Sequence, residues 1–289
     1  MAARAATTRI SETAVAMRTR RRVRDALYEA PGPKTRRKMV VGTVVSLAAV
    51  VALLAFAVYR FWVTGQLSSR YWELFSWRTT WIYLGRGLVG TFQVALTAGV
   101  ISLVLGMLLM LGRISHVRPL SVLCAILTNF FRGVPSLLFI YGFFFVVPSL
   151  GLKMDSFWML TIPISLAASG VLAEVFRAGV NAVPRGQTEA GLSIGLSRWK
   201  VKTKIVLPQA IRFVIPSLIS QLVVVVKDTA LAYVVTFPDL MQNAQVLRTN
   251  YDALVSTYLV VAVIYILINY LINKASVYVS HRMGVKIIR

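Results

Sequence analysis

Acidic residues, histidine and cysteine are all scarce in this sequence. Its 289 residues hold ten Asp and Glu, two His and one Cys. A single cysteine cannot build a disulfide framework within the chain, and Cys124, set in an apolar stretch, reads as a small packing residue. The two histidines, His116 and His281, fall outside the apolar runs, and no Cys/His cluster has metal-ligand spacing. The phosphate-loop pattern and the H-E-x-x-H zinc pair are both missing, so the chain carries no recognisable nucleotide or catalytic metal site. Polar surface is short as well. With 15% charged residues and 57% hydrophobic ones, the chain cannot solvate an ordinary soluble exterior.

What the sequence does have is long apolar runs. Six windows, at about 39–59, 87–112, 120–147, 156–176, 213–236 and 254–273, each approach the ~20 residues that cross a bilayer as helix. The expected fold class is therefore an all-α integral membrane protein with six transmembrane helices. The net charge of +22 is unevenly placed. Six crossings put 25 of the 32 Lys and Arg on one side, six on the other, and Lys227 within a span. Positive charge marks the cytoplasmic side, so both termini and the basic connection between the fourth and fifth spans are expected there. No stacking aromatics interleave the N-terminal arginines, which argues against nucleic acid and for anionic lipid as their partner.

Residues 1–38, with "RTRRRVR" and "PGPKTRRK", read as a basic cytoplasmic tail without a core of its own, expected to be disordered or lipid-bound. Residues 39–60 form an extra transmembrane helix, read as a retained anchor rather than a cleaved signal because the apolar run reaches spanning length. Residues 61–85 carry Trp62, Tyr71, Trp72, Phe75, Trp77, Trp81 and Tyr83 and suit an external segment at headgroup level. A five-helix core over 86–275 and a cytoplasmic tail at 276–289 complete the division. On the second span, Ser102 and Gly106 lie four residues apart beside Gly90 and Gly99, a spacing that permits close helix contact.

Polar groups at membrane depth are costly, about 2.5–3.5 kcal/mol for a charge at the bilayer centre, and so mark candidate solute contacts. "NFFRGVPSLL" sets Arg132 beside Gly133 and Pro135, where proline invites a kink. "QLVVVVKDTALAY" sets Gln221, Lys227, Asp228 and Thr229 in the fifth span. Neighbouring residues point ~100° apart on a helix, so Lys227 and Asp228 cannot both face lipid. One alternative is an interhelical ion pair that fixes packing. The other is a place along the solute path.

The segment "EAGLSIGLSRWKVKTKIVLPQA", Glu189 to Ala210, belongs to the connecting loop at about 181–210. Pro184 suits the first turn of a helix, Gly195 a stop, Ser197 a cap for a second helix through Arg198, Trp199 and Lys200, and Pro208 a kink before the next span. Ala190 and Gly191 lack bulk, so a partner could approach the backbone there.

These residues resemble the membrane-spanning permease subunits of binding-protein-dependent ABC importers, whose signature is E-A-A, three residues, G, nine residues, then I-x-L-P. Glu189, Ala190, Gly191, Gly195, Ile205, Leu207 and Pro208 match it, with Gly191 in place of the second alanine. "FRGVPSLL", "AEVFRAGVNAVPRGQTEAG", "LPQAIRFVIPSL" and "VKDTAL" are similar to the polar amino-acid branch, and "SLISQLVVVVKDTALAY" looks closest to glutamate permeases. The resemblance covers about 86–275. It implies that the loop is a coupling helix, with Glu189, Ala190, Gly191, Gly195, Leu196 and Trp199 at the contact and turn positions. It also implies a cytoplasmic ATPase dimer that uses ATP and Mg, an external solute-binding protein and a second permease subunit, a heterodimer being favoured. No cofactor and no catalytic residue are expected in this chain. Many polar amino-acid permeases carry Asn and Tyr where Ala167 and Val171 stand, which leaves solute contacts in the fourth span unassigned. Two other classes compete: a stand-alone secondary transporter or channel, which leaves the signature unexplained, and a membrane scaffold, which has no need of Lys227 and Asp228 at membrane depth.

Overall fold

The structure, a computed structural model, describes residues 32–282, with side chains to 278. The expected N-terminal and C-terminal tails lie largely outside the described residues. Every regular element among those described is helical. The chain divides into two compact units, residues 1–64 and 65–289.

In the first unit, α1 runs over Pro33–Val63 with no buried residue. Pro33 opens the helix, where its missing N–H leaves no intrahelical bond unmade. The helix thus begins inside the segment expected as tail. After the basic first turns, Lys34 to Lys38, its side chains from Met39 to Tyr59 are almost all apolar on every face, as a lipid-facing span requires.

The second unit begins with two 3-10 turns, Ser69–Tyr71 and Glu73–Ser76. It continues with α2 (Arg78–Arg113), α3 (Arg118–Gly133), α4 (Ser136–Ser149) and α5 (Ser156–Ala182). The loop helices α6 (Arg185–Ser193) and α7 (Arg198–Val201) follow, then a π turn (Lys202–Val206), α8 (Leu207–Asp228) and a 3-10 stretch (Thr229–Val235). Helices α9 (Leu240–Tyr251) and α10 (Leu254–Arg282) close the chain. Four stretches of this unit are long and apolar enough to cross a membrane: Arg78–Arg113, Ser156–Ala182, Arg198–Val235 and Leu254–Tyr278. Helix α2 starts well before residue 87, taking Trp81 and Tyr83 out of the expected external segment, and α10 continues past 275.

The third expected span is not one helix. Helices α3 and α4 meet at 97°, a break rather than the kink anticipated at Pro135. The residue before a proline is driven out of the α region, and Val134 accordingly has φ −93° and ψ 126°. Pro135 then starts α4 at its N-cap. In the fifth span, Pro208 sits in the first turn of α8, directly after the π turn. A widened turn relieves the clash between the proline ring and the carbonyl four residues back. Helix α9 was not anticipated at all. It is held between left-handed residues, Thr236 at φ 52° and Asp252 at φ 53°.

Packing centres on α2 and α5. Val94, Ala95 and Ala98 of α2 join Leu160, Ile164 and Ala168 of α5, with Val225, Val226 and Ala232 from the fifth span. The small face of α2 is a real contact: a Cβ on Gly106 would lie 2.8 Å from Leu172 Cβ, and Ser102 is fully buried.

Candidate functional site

Three polar features stand out: the loop between α5 and α8, a carboxylate ringed by arginines, and the ends of the broken helices. In the loop, Val183 is extended before Pro184, which forms the N-cap of α6. The helix ends in a Schellman turn. Leu196 N–H donates to the Gly191 carbonyl at 3.2 Å and Gly195 N–H to the Leu192 carbonyl at 3.0 Å, with Gly195 at φ 81°. Ser197 then caps α7 by accepting from Lys200 N–H.

Burial separates the loop residues into two sets. Glu189, Ala190, Gly195 and Trp199 are exposed, and Ile194 and Leu192 add apolar surface at the same tip. Gly191 is instead buried. A Cβ there would lie 2.8 Å from Ile205 Cδ1 and 2.9 Å from Val201 Cγ2, so its small size serves packing within the loop rather than approach by a partner. Leu196 also turns inward, against the cluster of Val183, Val201, Val206 and Ala210. That cluster fastens the loop to the ends of α5 and α8. Gln209 Nε2 adds a hydrogen bond to Gln187 Oε1 at 3.1 Å, and Lys202 Nζ donates to the Ile114 carbonyl beyond the end of α2 at 2.8 Å.

The arginine cluster was not anticipated from the sequence, apart from Arg132. Glu174 on α5 pairs with Arg113 of α2 through Oε1 and with Arg177 at 2.8 Å through Oε2. Arg132, at the end of α3, reaches Oε1 at 3.9 Å with half its side chain exposed. All ion pairs among the described residues converge on Glu174. The signal for it is an acidic residue inside an apolar window, with Arg177 three positions later.

The fifth-span residues do not form one site. Asp228 is half-buried at the end of α8, with the Ser136 hydroxyl of the first turn of α4 near its carboxylate. Lys227 is exposed, and neither it nor Asp228 forms an ion pair among the described residues, so the interhelical ion pair offered as one alternative is not seen there. Gln221 is half-buried. Thr229 is buried, with its hydroxyl donating to the Val226 carbonyl of its own helix at 2.9 Å.

A further buried acid, Asp239, lies at the other end of the core. It caps α9 through Gln242 N–H at 2.7 Å and lies 3.5 Å from Thr91 and 3.4 Å from the Tyr265 hydroxyl. Burial pushes its carboxyl up to about 6, against the lowering effect of these hydrogen bonds. No sequence motif marked it.

The profile of the family described as binding-protein-dependent transport system inner membrane component matches residues 102–285, most of the chain. The chain belongs to this family. Among relatives of this inner membrane component is the glutamate transport system permease protein GluD of Corynebacterium glutamicum, 35% identical over 71% of this chain and 77% of that protein. The probable glutamine ABC transporter permease GlnP of Bacillus subtilis is 32% identical over 67% and 90%. Among solved structures, an amino acid ABC transporter crystallised with histidines matches with TM-score 0.66 at 24% identity, covering 69% of this chain and 94% of that one. The methionine ABC transporter MetNI, in an inward-facing form, matches with TM-score 0.61 at 19% identity over 72% and 99%. These last two likenesses show the fold. Within its transport system the inner membrane component is a permease subunit, not an enzyme, and ATP hydrolysis lies in a separate subunit.

Proposed function

We propose that this permease carries a polar amino acid across the membrane for an ATP-driven importer, with glutamate as the cargo. An external solute-binding protein delivers the amino acid. A cytoplasmic ATPase dimer, using ATP and Mg, drives the permease through the Glu189–Pro208 loop. A second, different permease subunit completes the pore, and both termini of this chain face the cytoplasm. The observation that carries the reading is the loop itself. Two capped helices joined by a Gly195 turn present Glu189, Ala190, Ile194 and Trp199 outward, while Gly191 and Leu196 anchor them to the spans.

The glutamate assignment rests on likeness to GluD and on the "VKDTALAY" stretch. Relatives named for glutamine, arginine and cystine are similarly close, so the cargo is the finer part of the proposal. Arg132, Gln221, Lys227, Asp228 and Thr229 are assigned to the solute path. The test is uptake by proteoliposomes holding the complete transporter and its binding protein. ATP-dependent accumulation of labelled glutamate is expected. Accumulation of glutamine alone would overturn the cargo, and ion-driven uptake without ATP would overturn the importer. Gly195→Trp, which meets open space but forces a side chain onto the left-handed turn at φ 81°, should abolish transport while the permease still inserts.

A further inference from the structure

Glu174 stands in the stretch "AEVFRAGVNAVPRGQTEAG" ahead of the loop, and it joins α5 to the ends of α2 and α3. Arg113 and Arg177 hold its two oxygens, and its side chain is 16% exposed. Arg132 is the third and loosest partner, at 3.9 Å with its side chain 51% exposed. Arg132 immediately precedes Gly133, Val134 and Pro135, where α3 breaks from α4 at 97°. Close packing leaves little slack there: a Cβ on Gly170 of α5 would fall 2.7 Å from Arg132 N and 2.9 Å from the Thr128 carbonyl.

At the loop end the same helices are tied to the docking segment. Lys202, in the π turn just after α7, donates to the carbonyl of Ile114, one residue beyond Arg113. Ser121 near the start of α3 donates to the Arg113 carbonyl at 2.6 Å. The loop and Glu174 are thus both bonded to the end of α2.

We propose that Glu174 is a positioning residue that couples loop movement to the α3–α4 break, by making or releasing Arg132 while Arg113 and Arg177 keep the carboxylate in place. This rests on the importer reading above. The chemistry suits a switch. Arg113 and Arg177 offset the cost of a carboxylate within an apolar span. The half-exposed Arg132 can exchange Glu174 for water at little cost. A break between two short helices is an element with discrete arrangements, not a continuously deformable one.

The experiment uses the complete transporter in proteoliposomes and measures amino acid moved per ATP hydrolysed. Wild type is compared with Glu174→Gln, Glu174→Asp and Lys202→Met. Glu174→Gln and Lys202→Met should each lower that ratio by about fivefold or more while hydrolysis continues. Glu174→Asp, which keeps the charge, should recover part of the loss. An unchanged ratio in both variants overturns the proposal. So does a loss of transport and hydrolysis in step with the amount of assembled complex, which is what a merely structural Glu174 would give. Should wild type show no ATP-dependent uptake, the importer reading itself fails, a result separate from either variant's behaviour.

Discussion

Asp239 illustrates how a single residue can set a pH dependence. Its carboxyl is raised by burial from an ordinary 3.8 to about 6. The folded state therefore binds a proton that the unfolded chain has already released above pH ~4. Its stabilising contribution is complete below that value, falls as pH rises through 6, and is gone above it. Two units amount to about 3 kcal/mol, lost between pH 4 and 7. Asp239→Asn, which preserves the cap on α9, should flatten this dependence in thermal unfolding of the detergent-purified protein. A curve parallel to wild type would show that Asp239 does not titrate as described. Gly191 makes the opposite kind of prediction, through space. Gly191→Leu must displace Val201 and Ile205, at a cost of about 1–3 kcal/mol, and should loosen the loop to protease while α2 and α5 remain protected. Neither residue's role was legible in the sequence. Gly191 was visible only as a small residue in a signature, and whether its face pointed inward depended on Val201 and Ile205 returning from the second helix. Asp239 follows a proline in an apparent loop, and only the packing of α2 and α10 around it makes the site dry.

At the scale of elements, the loop was the most legible part of the chain, because Pro184, Gly195 and Ser197 act through local backbone rules that need no tertiary partner. The break before α4 was half legible. Proline announces an interruption, but the 97° angle depends on how α3 and α4 pack against α5. Helix α9 was illegible, since the turn that leads into it ends the 3-10 stretch on Thr236 in the left-handed region, a conformation that a β-branched residue seldom adopts. That strain predicts a gain: Thr236→Gly should stabilise the protein by about 1 kcal/mol, read as a higher Tm, with an unchanged Tm counting against strain at this turn.

Across the whole molecule, hydropathy read the membrane class and the number of apolar runs, and it misjudged how they are divided. Among the described residues, five long helices and one bent pair stand where six uniform spans were expected. Window averages cannot see such a division, because both halves of the pair are apolar. Helix α1 has no buried residue, and residues 65–289 form a compact unit of their own. Removal of residues 1–64 should therefore leave transport per assembled complex within about twofold of wild type, provided the permease still inserts. A complete loss with normal insertion would assign α1 a part in transport.

The junction at Val134 and Pro135 also has a meaning for solvent. Non-helical backbone at bilayer depth is tolerated only where protein or water satisfies its carbonyls. Arg132, Gly133 and Pro135 are exposed on this chain. The resident thiol, Cys124, is buried against Gly112, so it gives little background to a labelling experiment. A cysteine placed at Ser136 would report hydration directly: modification by a membrane-impermeant thiol reagent, slowed by saturating amino acid, would trace a wet passage through the middle of the bilayer.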